Sequence, residues 1–414
     1  MRPVVLFTIL LVMPWFGLAG CDRSPSIPSK PTLKPVPHTA ITVSPAPNSR
    51  NLLQESWESY RKRFIQGDGR VIDWEGDEKS TSEGQAYALW RSVFANDPTT
   101  FEQTLRWAEQ NLRRETPQKQ PLDSLWAWKW GQQKDGQWTQ LDPNFAVDAD
   151  IDACFALILA AQRWQKPEYL ALAKTKLQDI WLHSTTVVKG KRYLLPGPMI
   201  AFRQGNLVRL NPSYLAPYAF RLFAEVDKSR DWLALVETSY EILEASTAVS
   251  SAGLPSDWIA LDAETGQYQA LVKPSPVLSL YGFDASRVWW RVALDGFLYN
   301  EPRATQYLQS HLATIESLWR SQKKIPAQLD LQGNPLVKYD ATSQYGMLYA
   351  AFQLVNPTIA QEIYQQKLLP RYRGGFWDND KAYYTQNLVW FGLLPPQAIA
   401  QALQGQFTEL SGVP

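Results

Sequence analysis

Only two cysteines occur in the 414 residues, so no disulfide framework holds this chain together. Cys154 lies in the apolar run Ala153-Cys154-Phe155-Ala156-Leu157 and reads as a buried small hydrophobe. Histidine is as scarce. His38, His183 and His311 are too scattered to seed a metal cluster, and neither a metal nor a cofactor is expected. An excess of one charge is also missing: 41 Lys and Arg face 40 Asp and Glu, a net charge of +1. That balance excludes a broad basic face for nucleic acid and an acidic scaffold tail, and suits a neutral partner better.

Tryptophan, in contrast, is abundant, with 18 residues. Flat rings with a polar edge fill cores and also stack on sugar faces, so their surroundings must decide between the two. The amino terminus carries an export pattern: Arg2, an apolar stretch over 4–16 broken by Pro14, then Leu18-Ala19-Gly20-Cys21. This tetrapeptide resembles a bacterial lipoprotein cleavage box. The resemblance implies that residues 1–20 are removed and that Cys21 carries lipid. The protein would then be exported and periplasmic, held to a membrane by its acyl chains. An ordinary signal peptide or an uncleaved anchor is the alternative. Residues 21–50 are rich in Pro and Ser and read as a tether.

Beyond residue 51 two kinds of helix alternate. Stretches 85–95, 153–161, 285–298 and 343–355 are apolar nearly all round and belong inside. Others, such as the one carrying Phe101, Leu105, Ala108 and Leu112, have a single apolar stripe and belong outside. The pattern predicts twelve helices, near 52–66, 82–95, 98–114, 148–164, 167–182, 212–226, 230–246, 284–299, 304–321, 341–355, 358–367 and 383–393. Six inner and six outer helices close a ring, with a stack of helical pairs as the rival. Polar insertions at 126–145, 187–211, 254–283 and 325–340 all precede inner helices, which favours a barrel with one elaborated face. The domain is expected over 51–400, with a tail at 401–414.

Three acids stand at the mouths of apolar helices: Glu83 in Ser80-Thr81-Ser82-Glu83-Gly84-Gln85, Asp148 in Ala146-Val147-Asp148, and Asp284 in Gly282-Phe283-Asp284. Carboxyls converging from distant segments suit acetal cleavage, which needs one group kept protonated to serve the leaving oxygen and one ionised to activate water. Each acid also has a plainer reading as a cap, Glu83 through a Ser80-x-x-Glu83 box and the aspartates as N-caps. Asp150 and Asp152 add a local acidic cluster, without the glycine-centred loop of an EF-hand. Arg287, one turn after Asp284, either steadies that carboxylate or forms a simple ion pair. Trp126, Trp128 and Trp130 alternate with period two in a polar segment and are expected to form a stacking platform. Tyr214, Trp258, Tyr281 and Tyr384 are further candidates for substrate contact.

Together these motifs resemble glycoside hydrolase family 8. Thr81-Ser82-Glu83-Gly84-Gln85, Asp148-Ala149-Asp150, Asn211-Pro212-Ser213-Tyr214, Pro255-Ser256-Asp257-Trp258 and Tyr281-Gly282-Phe283-Asp284-Ala285-x-Arg287 carry the likeness over residues 55–395. The resemblance implies an all-α (α/α)6 barrel and an inverting hydrolase, with Glu83 as acid, Asp284 as base and Asp148 binding sugar near the cleavage point. Val147, where the family usually has Ser or Thr, departs from the pattern. Arg70-Val71-Ile72-Asp73, Leu194-Leu195-Pro196-Gly197 and Asn211-Pro212-Ser213-Tyr214-Leu215 resemble endoglucanases that accompany bacterial cellulose synthases. That likeness implies a cellulose-like β-1,4-glucan substrate and a cellulose synthase complex as partner. Xylan, chitosan, mixed-linkage glucan, or glycan binding without turnover stay open.

Overall fold

Helices with apolar residues on every side are stable only when other elements surround them, and the chain is arranged to provide this. The computed structural model describes residues 49–409; the leader, Cys21 and the tether up to residue 48 lie outside the described residues. Outer α1 (Ser49–Phe64) leads to inner α2 (Ser82–Phe94), and α3 (Pro98–Asn111) returns outside. Inner α4 (Val147–Arg163) is followed by outer α5 (Pro167–His183). A short α6 (Met199–Phe202) precedes inner α7 (Pro217–Val226) and outer α8 (Trp232–Ala248). Inner α9 (Phe283–Tyr299) is backed by α10 (Pro302–His311), and α11 (Ala313–Gln322) follows, packing on α10. Inner α12 (Thr342–Val355) and outer α13 (Pro357–Ile363) come next, then inner α14 (Tyr383–Leu393) and α15 (Pro396–Leu403).

Packing closes the ring. Helix α2 packs on α4, α4 on α7, α7 on α9, α9 on α12, α12 on α14, and α14 returns to α2. Each of α3, α5, α8, α10 and α13 lies against the inner helix before it, while α1 covers α14. This is an (α/α)6 barrel, not an open stack. Two details differ from the periodicity. The helix expected at 304–321 breaks at Leu312, which ends α10 and opens α11. The additional α15 buries Ala398, Ile399, Ala402 and Leu403 and touches both α4 and α9.

Local signals explain the outer starts. Asp97, Asp231, Glu301 and Asn356 accept backbone N–H bonds at the heads of α3, α8, α10 and α13, and a proline follows three of them in the first helical turn. The inner helices α4, α7, α9, α12 and α14 have no side-chain cap of their own, which leaves their first turns free for other work.

Polar insertions before the inner helices form small antiparallel sheets at one end of the barrel. Pro121–Gln132 pairs with Trp138–Phe145, with register shifts around Lys129. Arg203–Gln204, Leu207–Leu210, Ile259–Asp262 and Tyr268–Ala270 make a four-stranded sheet. Below that face, aromatic rings from several inner helices meet on the barrel axis. Trp90 stacks on Phe155 with centroids 4.6 Å apart, Trp290 stacks on Phe391 at 5.3 Å, and the two tryptophans meet edge to face at 5.9 Å.

Helices α12 and α14 approach so closely that a Cβ on Gly392 would stand 2.0 Å from the Gly346 carbonyl oxygen. Gly392→Ala must push the two backbones apart. The expected loss is at least about 1–3 kcal/mol, the usual cost of overpacking, read as a lowered urea midpoint with an unchanged slope.

Candidate active site

Glu83, Asp148 and Asp284 share one position, the second residue of inner helices α2, α4 and α9. None of them caps its own helix. Thr81 caps α2 by accepting from the Gly84 N–H at 3.0 Å, while the Ser80 hydroxyl donates to the Val71 carbonyl at 2.6 Å. The Ser80–Glu83 capping box is therefore not formed. At the head of α9 the cap comes from outside, as Asp257 Oδ1 accepts from the Ala285 N–H at 2.7 Å. The three carboxylates are free to face one another across the top of the barrel.

Arg287, buried on α9, holds them together. Its Nη1 donates to Glu83 Oε2 at 2.8 Å and to Asp148 Oδ2 at 3.1 Å. Its Nη2 donates to Asp284 Oδ1 at 2.7 Å and to Ser213 Oγ at 3.0 Å. Asn211 Nδ2 donates to the other Asp284 oxygen at 3.0 Å. On the acid side, the Tyr383 hydroxyl donates to Glu83 Oε1 at 2.9 Å, and that of Tyr87 to Oε2 at 3.3 Å.

The environments then separate the acids. Burial, opposed by Arg287 and reinforced by the negative charge of Asp148, lifts Glu83 to about 7. Asp148 is raised too, chiefly by burial. Side-chain exposure is 21% for Glu83 and 31% for Asp284, against 3% for Asp148. Glu83 and Asp284 thus open on one space, which the more deeply buried Asp148 also lines beside Arg287. The space is a cleft of about 340 Å3, also lined by Asp73, Lys79, Trp128, Tyr214, Tyr383 and Tyr384.

The acidic cluster on α4 does not gather oxygens for a cation. Asp148 turns to Arg287 and Asp150 to Lys176. Asp152 takes Arg291 through both oxygens, at 3.0 and 2.9 Å.

The sequence is a member of a known family. Residues 36–398 match the pattern described as Glycosyl hydrolases family 8. The chain belongs to this family, and it is a glycosidase. It is 30% identical to the endoglucanase of Salmonella typhi over 81% of this chain and 85% of that one. It is 33% identical to the endoglucanase of Pseudomonas fluorescens (strain SBW25), over 61% of this chain and a little under two thirds, 63%, of that relative. The endo-1,4-D-glucanase of Vibrio fischeri ES114 superposes with a TM-score of 0.71 at 27% identity, covering 82% of this chain and 93% of that one. A cold-adapted family 8 xylanase shares the fold with a TM-score of 0.67 at 20% identity, over 88% and 93% of the two chains.

In this family 8 glycosidase the expected tryptophan platform is divided. Trp128 lines the cleft. Trp126 is only 1% exposed, its indole N–H donates to Glu109 at 2.9 Å, and Lys176 lies 4.1 Å from its ring; it is a core residue. Trp130 turns to Trp107 and Trp138, away from the acids. Register shifts at Ala127/Lys129 and Lys129/Trp130 break the alternation that period two assumed. Tyr281 is also a core residue, buried and accepting from Trp289 Nε1 at 3.1 Å and Gln344 Nε2 at 2.9 Å. Tyr214 and Tyr384 line the cleft, whereas Trp258 is not among its lining residues and instead stacks on Phe202 at 5.8 Å, 6.3 Å from Tyr214.

Sequence reasoning overlooked Tyr383, Asn211 and Asp257 as site residues. Asn211 and Asp257 stand in quoted motifs, so the signal was present. Asp257 is lifted to about 8 by burial and then by the charge of Asp284. Tyr383 lines the cleft beside Tyr384, and its hydrogen bond to Glu83, 300 residues away along the chain, is a tertiary contact that no local pattern announces.

If Glu83 is the acid, kcat/KM should fall as pH rises above about 7. The Tyr383 hydrogen bond favours the ionised carboxyl, so Tyr383→Phe moves this alkaline limb to higher pH. Because the folded-state value lies above the unfolded one, the stability that protonated Glu83 contributes is lost as pH rises through about 7. The advantage in thermal midpoint of Glu83→Gln over wild type therefore widens from acid pH to about 7 and then levels off.

Proposed function

We propose that this chain is an exported, lipid-anchored endo-β-1,4-glucanase that hydrolyses cellulose or a related β-glucan with inversion. The observation that carries this reading is the single guanidinium of Arg287, which reaches three carboxylates at the heads of three inner helices beside an open cleft. An inverting reaction needs an acid on the leaving oxygen, a base behind a water, and no covalent nucleophile.

Glu83, neutral below about pH 7, gives its proton to the departing glucosyl oxygen. As the glycosidic bond breaks, the Glu83 carboxylate that forms is met by Arg287 Nη1 and the Tyr383 hydroxyl. These contacts strengthen as charge develops. Asp284, fixed through both oxygens by Arg287 and Asn211, takes a proton from the water that attacks the anomeric carbon. Asp148 is too enclosed and too firmly paired to attack carbon, and is placed to accept a hydrogen bond from a sugar hydroxyl. Trp128, Tyr214 and Tyr384 offer ring faces along the cleft.

The choice of a β-1,4-glucan is supported by the endoglucanase names of the sequence relatives and by the Vibrio endo-1,4-D-glucanase. The barrel itself does not select the sugar, since a xylanase has it too. Membrane attachment rests on Leu18-Ala19-Gly20-Cys21. A role beside a cellulose synthase, trimming polymer during secretion, rests on the Arg70-Val71-Ile72-Asp73 and Leu194-Leu195-Pro196-Gly197 likeness.

The test is the anomer of the first product released from a soluble β-1,4-glucan, followed by NMR. Initial release of the α-anomer is expected. Glu83→Gln and Asp284→Asn should each lower kcat by roughly 10²–10⁴-fold or more. Initial β-product, or undiminished turnover in either variant, removes the assignment.

A further inference from the structure

Trp130 was expected at the cleft and is found instead on the flank of the hairpin, where it backs a second indole. Trp138 stacks on it with centroids 5.1 Å apart and planes 24° from parallel, yet stays 42% exposed. Trp130 in turn presses edge to face on the buried Trp107 of α3 at 5.2 Å. The Arg70 guanidinium lies 4.7 Å from the Trp130 ring and 4.4 Å from the Trp138 ring, and its Nε is fixed on Ser80 Oγ at 2.9 Å. An exposed indole braced in this way is rigid before anything binds, so little ordering entropy is lost on binding.

We propose that the outer face of Trp138 is an accessory docking surface for a β-1,4-glucan chain outside the catalytic cleft. This rests on the glucanase reading and extends it. In a β-1,4-linked chain the hydroxyls are equatorial, so each ring presents flat C–H faces that match an indole face, with polar groups at the rim. The rim is supplied. Gln132, Gln133, Lys134 and Gln137, all exposed, surround Trp138 in the hairpin turn. One indole amid polar side chains is far below the roughly 800 Å2 per partner that a stable protein interface buries, but it matches a sugar ring. The surface is also continuous with the cleft: the strand Pro121–Gln132 that carries Trp130 also carries Trp128, and Thr81, paired with the intervening Lys129, lines the cleft. A long chain leaving past Trp128 can therefore meet a second ring at Trp138.

The experiment compares the whole protein with Trp138→Ala, Trp138→Gln and Trp138→Phe. Affinity electrophoresis in hydroxyethylcellulose gels reads binding. The ratio of kcat/KM on hydroxyethylcellulose to that on cellopentaose reads the contribution to catalysis. Retention and the ratio should both fall roughly three- to tenfold in the Ala and Gln variants, the size of one aromatic stacking contact, and largely persist in the Phe variant. A wild type that hydrolyses both substrates while the variants match it in retention and ratio overturns the docking surface. So does loss of a dimer in the variants with retention intact. A wild type retained through Trp138 that hydrolyses neither substrate overturns the catalytic reading and leaves the docking surface standing.

Discussion

The upper face of the barrel depends on a single cation. Three carboxyl groups in a poorly hydrated space repel one another and lose solvation, and each effect drives protonation. Arg287 offsets this through five donor contacts, and it is buried so deeply that its own charge requires those anions. The result is neither full ionisation nor full neutrality. Glu83, with burial outweighing the guanidinium, sits near neutrality's edge, while Asp284 is more exposed and has a second donor in Asn211. Two carboxyls of similar chemistry thereby stand in different surroundings, which is what the proposed division into acid and base requires.

The barrel makes that arrangement possible by dividing labour among helix starts. The outer helices α3, α8, α10 and α13 spend aspartate, asparagine or glutamate on closing their own first turns. Five inner helices have no side-chain cap of their own, α9 being capped by Asp257, and at α2 the cap is Thr81, which leaves Glu83 free. Acids at their second positions therefore point into the cleft with no backbone to satisfy. Beneath them the Asp152–Arg291 pair and the axial tryptophans form a stiff floor, so the geometry above has little freedom to relax.

Much of this could be read in the residues before any coordinates. An acid at the head of an otherwise apolar helix stands out, and Glu83, Asp148 and Asp284 each do. The alternation of buried and striped helices was equally legible, and six plus six follows from it. What escaped notice depended on contacts between distant segments or on backbone irregularity. Arg287 read as the neighbour of Asp284, whereas its other carboxylate partners lie 204 and 139 residues away. The Trp126, Trp128 and Trp130 series assumed a regular strand, and two register shifts sent the rings to three environments. The break at Leu312 has no glycine or proline to announce it. α15 is short and follows Pro395, so its burial against α4 and α9 is a tertiary effect.

The seam of the ring lies between α1 and α14, where the Trp390 indole N–H donates to the Leu53 carbonyl across 337 residues of chain. Every other inner helix meets a partner close behind it in the sequence, so the early hairpins can assemble as the chain emerges. The seam cannot. Closing so long a loop is entropically unfavourable and kinetically late, and until it happens the apolar flanks of α2 and α14 are uncovered. Closure of the barrel thus waits on its last inner helix, and a chain still lacking that helix is an unsealed arc whose bare apolar flanks favour aggregation.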